Sequence, residues 1–198
     1  VSSEIKSKIN KDLKLNFKFS NNLKYNIFPQ PHFKTNQAII LSKNQEISKI
    51  ENLKIYISYE NLHSLKKITI NDVIIENANF YLNKKNYNFF IKLLSNNFQK
   101  RNLKIKKSNV FFKNSEKEVL FINKIRDMKY YYDTKELNNF IEAKNEIFNF
   151  EYDIKLYNEI IEKKLISKLK FNFLKLKIDN VFNYSKEKKK WGSKFCFK

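Results

Sequence analysis

The side chains able to ligate a metal or attack a substrate are few and scattered. His32 and His63 lie far apart in the chain, and neither has a cysteine or a second histidine beside it. Protein metal sites draw on clustered His, Cys, Asp or Glu. Cys196 is the single cysteine and sits between Phe195 and Phe197. That is the setting of a small buried hydrophobe, and one cysteine builds no internal disulfide framework. The carboxylate pairs Asp127–Asp133 and Glu116–Glu118 fall in lysine-rich stretches that read as solvated turns. General acid–base work needs an environment that shifts the carboxyl away from its ordinary acidity. The only glycine, Gly192, can build neither a phosphate-cradling loop nor a nucleophile elbow. The expectation is a protein with no catalytic residue, no metal and no cofactor.

Charge is the next candidate for function. The chain carries 38 Lys, 2 Arg (Arg101 and Arg126) and a net charge of +20, which points to nucleic acid or an anionic surface. Its densest run, "KEKKKWGSK" over 186–194, puts Trp191 among lysines. Lys and Trp together suit headgroups or single strands, but such a run is also an ordinary solvated hairpin tip. The guanidinium fork that grips phosphate and reads guanine is almost missing. Lys, Asn, Ile, Phe and Tyr, all encoded by A/T-rich codons, make up 121 of the 198 residues, so coding composition accounts for much of the charge. Nucleic acid is therefore the lesser reading.

The elements that would have to position any site are strands. "LKLNFKF" (13–19), "LKIYISY" (53–59), "ITI" (68–70), "LKI" (103–105), "YYY" (130–132), "FNFEYDIKLY" (148–157) and "LKFNFLKLKI" (169–178) alternate apolar and polar residues. Such alternation marks strands with one apolar and one solvated face. The phase slips between Phe173 and Leu174, which predicts a bulge or a strand break. With one glycine available, Asn is expected to serve at the turns. The default arrangement is an antiparallel meander. Two stretches carry helical spacing: 2–13, with Ile5, Ile9 and Leu13, and 86–98, with Tyr87, Phe90, Ile91, Leu94 and Phe98. The stretch 159–170 is ambiguous and reads mostly as strand. Both prolines, Pro29 and Pro31, fall in "NIFPQPHF", where a spaced pair marks a break between two strands. No signal peptide and no run long enough to cross a bilayer as a helix is present. The chain begins with Val1 and ends inside an alternating stretch, so a piece of a longer protein is expected.

The order of these features resembles the start of the AsmA-like family of bacterial envelope proteins. A helix and an alternating strand lead to a P-x-P (Pro29, Pro31, Phe33) and an apolar strand, Ala38 to Leu41. Then come Ile50, Leu53, Ile55, Ile57, Leu62 and Leu65, followed by Val73, Ile75, Ala78, Phe80 and Leu82. "LKIKKSNVFFKN" (103–114) is similar to the family's strand-turn-strand, with Asn109 where glycine is common. The glycines of the family's turns are replaced here by Asn or Lys.

The resemblance implies a mainly β fold with two short helices, in which a long curled antiparallel sheet forms an open apolar groove. The expected layout is a single module over 1–198: helix 2–13, strands over 14–83, helix 86–98 and further strands over 101–198. It also implies anchoring at the inner membrane upstream of Val1, on the periplasmic side, and a part in outer-membrane biogenesis through phospholipid transfer. The groove is expected to be lined by Leu53, Ile55, Ile57, Ile68, Ile70, Val110, Phe112, Tyr130, Tyr132, Phe148, Phe150 and Tyr152. The alternatives are a basic nucleic-acid-binding protein and a ligand-free β protein whose apolar face is sealed.

Overall fold

Alternation over most of the chain produces one sheet. The computed structural model describes residues 2–13, 15–19, 23–42, 45–60, 68–86, 102–159, 164–183 and 192–197. A helix, α1 (Ser2–Leu13), precedes twelve strands: β1 (Asn16–Phe19), β2 (Lys24–Asn26), β3 (His32–Ser42), β4 (Gln45–Ile57), β5 (Ile70–Leu82), β6 (Asn102–Lys113), β7 (Val119–Asp133), β8 (Asn138–Ile147), β9 (Phe150–Glu159), β10 (Lys164–Phe171), β11 (Leu176–Asn183) and β12 (Gly192–Phe197). The spatial order is β1-β3-β4-β5-β6-β7-β8-β9-β10-β11-β12, with β2 also paired to β3, and the sheet does not close on itself. Two short strands share the edge of β3: β2 pairs its first residues and β1 its last.

The meander expectation needs one correction. Every neighbouring pair is antiparallel except β5 and β6, which run parallel. A parallel pair cannot be joined by a hairpin and needs a crossover of a dozen or more residues. The link over 83–101 has that length, and it begins with a turn held by Asn83 Oδ1, which accepts from the Lys85 and Asn86 amides. The helix expected over 86–98 falls in this link. Apart from Asn86, which closes the turn, it lies outside the described residues, so the described part of the chain contains one helix.

The proline pair acts as a break between strands. β2 ends at Asn26 and β3 starts at His32, with the cis Phe28–Pro29 bond between them. Pro31 is buried, and its carbonyl accepts the Ile57 amide at 3.0 Å, tying the start of β3 to the end of β4. The slip at 173–174 is likewise a break: β10 ends at Phe171, a turn spans 172–175, and β11 begins at Leu176.

A second irregularity crosses the sheet as a seam. In β3 to β7 the pairing steps over Gln37, Glu51, Asn77, Lys107 and Arg126, which fall in line from strand to strand. Three of them, Gln37, Asn77 and Lys107, have φ between 48° and 68°. A skipped residue inverts the alternation, because successive side chains point to opposite faces. Each strand slips together with its neighbour, so the buried face stays continuous: Thr35 and Ala38, Leu53 and Ile50, Ile75 and Ala78, Ile105 and Ser108 share it. The seam ends between β7 and β8 as a bulge at Arg126. Ser108, fully buried, bridges the interruption. Its hydroxyl accepts the Ala78 amide at 3.0 Å and donates to the Lys106 carbonyl at 2.8 Å.

Asn serves the turns less by its backbone than expected. Of the eight positive-φ positions among the described residues, two are Asn (Asn77 and Asn149); the others are Gln37, Lys107, Lys117, Leu137, Phe148 and Lys175. Asn works instead through its side chain, as where Asn114 Oδ1 accepts from the amides of Glu116 and Glu118.

Candidate functional site

The face to which the apolar residues turn can be followed strand by strand from the pairing, since directly opposed residues point the same way. From β4 it runs through Ile55, Val73, Leu103, Tyr130, Ile141, Leu156 and Ser167 to Asn180 in β11. Eleven of the twelve expected groove residues belong to this side: Leu53, Ile55, Ile57, Ile68, Ile70, Val110, Phe112, Tyr130, Tyr132, Phe150 and Tyr152. Phe148 is the exception. It occupies the two-residue turn between β8 and β9, with φ 50°, and is 69% exposed. The alternating reading carried it one step too far, because "FNF" spans a turn, not a strand.

The face has two halves with different surroundings. In β3 to β6 it is sealed. Leu53, Ile55, Ile57, Ile68 and Ile70 are buried, at 0–6% exposure, in one cluster with Ile9 of α1, Phe33 and Val73. Between α1 and this floor remains a void of about 10 Å³, lined by Lys8, Ile9, Phe33, Ile55, Ile57, Ile68 and Ile70. These five do not line an open cleft. They are core, packed with Phe33 and Val73 and faced on one side by Ile9 of α1. Ile125 and Tyr130 of β7 and Ile141 of β8 belong to the same buried cluster.

Toward the end of β6 and the start and end of β7, and from β9 onward, the burial fades, while Ala143 of β8 stays buried. Phe112, Phe121, Tyr132, Ile147, Tyr152, Ile154 and Leu156 are only half-buried, as are Leu169, Phe171 and Ile178 beyond them, and Phe150 is 40% exposed. Ring contacts run along this surface: Phe112 stacks on Phe121 at 4.2 Å and Tyr152 on Phe171 at 5.1 Å. Its polar groups are sparse. Tyr152 donates its hydroxyl to Asn123 Oδ1 at 2.9 Å, while Asn145 Oδ1 and Asn180 Oδ1 are buried without a hydrogen-bond partner. Burial pushes the Tyr130 phenol up to about 12 and the Tyr152 phenol upward too, the latter opposed by a hydrogen bond with Asn145. Both stay protonated near neutrality, as donors and not as bases. Ile154, Leu156, Leu169 and Phe171 were not among the expected groove residues, although the alternation that named Phe150 and Tyr152 continues through them.

The opposite face of the same strands is charged. Two cross-strand rows stand on it: Asp127, Lys144, Asp153, Lys170 and Lys177, then Lys129, Glu142, Lys155, Lys168 and Asp179. Between them lies a trough of about 530 Å³, walled by these side chains, with Ala143, Ile154 and Leu169 on its floor. The rows mix signs, as cross-strand pairing favours, and Lys155 meets Glu142 at 3.0 Å. A continuous basic stripe, the footprint of a nucleic-acid-binding surface, is not what these rows form. Beside them Glu146 holds Lys124 at 2.6 Å and Arg126 at 2.9 Å, and Arg126 also reaches Glu151 at 2.6 Å. The Lys124 and Arg126 hydrogen bonds hold the Glu146 carboxyl below the usual carboxylate range.

The candidates for chemistry remain dispersed. His32 opens β3, buried, with Nδ1 2.8 Å from the Gln30 carbonyl and its ring stacked on Tyr56. Asp133 caps its turn, accepting the Lys135 and Glu136 amides, which hold its carboxyl low. Among the described residues no three His, Cys, Asp or Glu side chains gather as metal ligands, and no helix is long and apolar enough to cross a membrane. His63 and most of the 186–194 tract lie outside the described residues. A scan against protein-family models finds no match, and a search of curated proteins finds none either.

Proposed function

We propose that the chain is a non-enzymatic lipid-binding module that holds phospholipid acyl chains on the uncovered half of its apolar face, over β7 to β11. The observation that carries this reading is the change of surroundings along one continuous face: buried in one cluster from β3 as far as Tyr130 of β7 and Ile141 of β8, half-exposed over the ends of β6 and β7 and most of β9 to β11. A sheet face of this kind must be covered by something apolar. Each buried methylene contributes roughly 0.8 kcal/mol, so two acyl chains bind without a specific polar contact. On this reading the sheet curls there into a groove open to solvent, and the module is of the AsmA-like kind, anchored at the inner membrane, facing the periplasm and serving lipid supply to the outer membrane. A ligand-free structural protein is the second reading; the sealed packing of β3 to β6 favours it for that half alone. Mass spectrometry of organic extracts from natively purified protein tests the proposal. Phospholipid is expected in the wild type and lost in Phe150→Lys and Ile154→Lys. Wild-type protein free of lipid, or variants that keep it, would contradict the reading.

A further inference from the structure

In β6 to β11 one end of the strands carries a row of exposed apolar tips. Three successive links, over 114–118, 148–149 and 172–175, lie at the same end of β6 to β11. Around them Leu120, Phe148, Phe173 and Leu174 are exposed, Phe173 at 83%. At the other end of these strands the described link, between β7 and β8, is polar (Asp133, Thr134, Lys135 and Glu136, with Leu137 exposed), although Ile27, Phe28 and Tyr59 are exposed at that end beside β3 and β4.

Phe148 is the telling residue. Two-residue hairpin turns with positive φ at both positions favour Asn, Asp or Gly. Here φ is 50° at Phe148 and 65° at Asn149, and a bulky aromatic is a poor occupant of the left-handed region. The fold gains little from it, since the ring stands mostly in solvent. These tips also join the apolar face. The Phe121 and Phe148 rings are 6.1 Å apart, and those of Phe150 and Phe173 6.4 Å.

We propose that the β8–β9 and β10–β11 tips insert into the interface of an anionic bilayer, with Phe148, Phe173 and Leu174 as anchors and Lys175 at headgroup level. The two tips are two strands apart, about 10 Å, as separate convex points. That shape suits a fluid interface better than the flat patch of about 800 Å² that a protein partner buries. Aromatic side chains partition to the membrane–water boundary, and a chain of charge +20 is drawn to anionic lipid. The β6–β7 tip is excluded from the insertion because Glu116 and Glu118 flank Lys117 there. In purpose the inference rests on the lipid-binding reading, since the tips adjoin the open half of the face, but it is tested separately.

The test is co-sedimentation of the full chain with vesicles of phosphatidylcholine and phosphatidylglycerol in equal parts. Wild type is expected to bind. The double variant Phe148→Asn, Phe173→Asn is expected to bind at least about tenfold more weakly. Its thermal midpoint should be unchanged or raised, because Asn tolerates the left-handed region. Ile154→Lys should bind vesicles like the wild type while losing its co-purified lipid, which separates insertion from the lipid-binding reading. Equal sedimentation of wild type and double variant, or no sedimentation of the wild type, would overturn the proposal.

Discussion

The halves β3–β6 and β7–β11 present the same face of one sheet, yet they solve the burial problem differently. The first half fills its inward positions mostly with Ile, Leu, Val and Ala, with Phe33 and Phe80 among them, and sets Ile9 of α1 against Ile55, Ile57, Ile68 and Ile70. The second mixes aliphatic residues (Ile125, Ile141, Ile154, Leu156, Leu169) with more aromatic ones, Tyr130, Tyr132, Phe150, Tyr152 and Phe171, and with Asn145, Ser167 and Asn180. Aliphatic side chains pack into a dry interior. Aromatic ones with a polar handle tolerate a boundary that is apolar on one side and wet on the other. Composition and cover thus change together, which is why we read the first half as the foundation and the second as the working surface.

The largest effect should separate the halves by stability. Leu53→Ala removes side-chain volume from a fully buried site and is expected to cost about 2–5 kcal/mol in denaturant unfolding. Ile154→Ala, at a half-buried site, should cost under about 1 kcal/mol. Equal losses would erase the distinction. A smaller effect tests the seam on which the continuous face depends. Ser108→Ala leaves the Ala78 amide and the Lys106 carbonyl without their bridge, so a loss of about 1–3 kcal/mol is expected by the same measurement. No change would mean that the seam needs no support. The smallest concerns the second half alone. Glu146 binds its proton less readily when folded than when unfolded, so its contribution is present above the ordinary value of 4.5 and is lost as pH falls below it. Glu146→Gln should flatten that part of the stability–pH curve and leave neutral pH little changed. An unaltered acid limb would remove Glu146 from it.

Much of this was legible in the residues, and the reasons it stopped are physical. Period-two alternation identified parts of β1, β4, β6, β7, β9, β10 and β11 but named nothing in β2 or β8, and helical spacing identified α1 with the same bounds, 2–13. The proline pair and the slip at 173–174 marked real breaks. Alternation also put eleven of the twelve expected residues on one side, because parity survives from strand to strand once the register is set. What alternation lacks is knowledge of the cover. Leu53 and Ile154 follow the same local pattern, yet Leu53 is fully buried in the core cluster and Ile154 only half-buried. The parallel β5–β6 pair was equally out of reach, since pairing direction depends on where a 19-residue link over 83–101 leads and not on either strand. Phe148 was misplaced because a turn that uses Phe and Asn, without Gly, looks like more strand.

The most direct test of the divided face uses a photo-reactive phenylalanine analogue placed singly at position 154 or 55 of the full chain, irradiated in the presence of phospholipid. Lipid adducts at position 154 and none at position 55 are expected. Equal adducts at both, or none at 154, would contradict an apolar face sealed in its first half and lipid-bearing in its second.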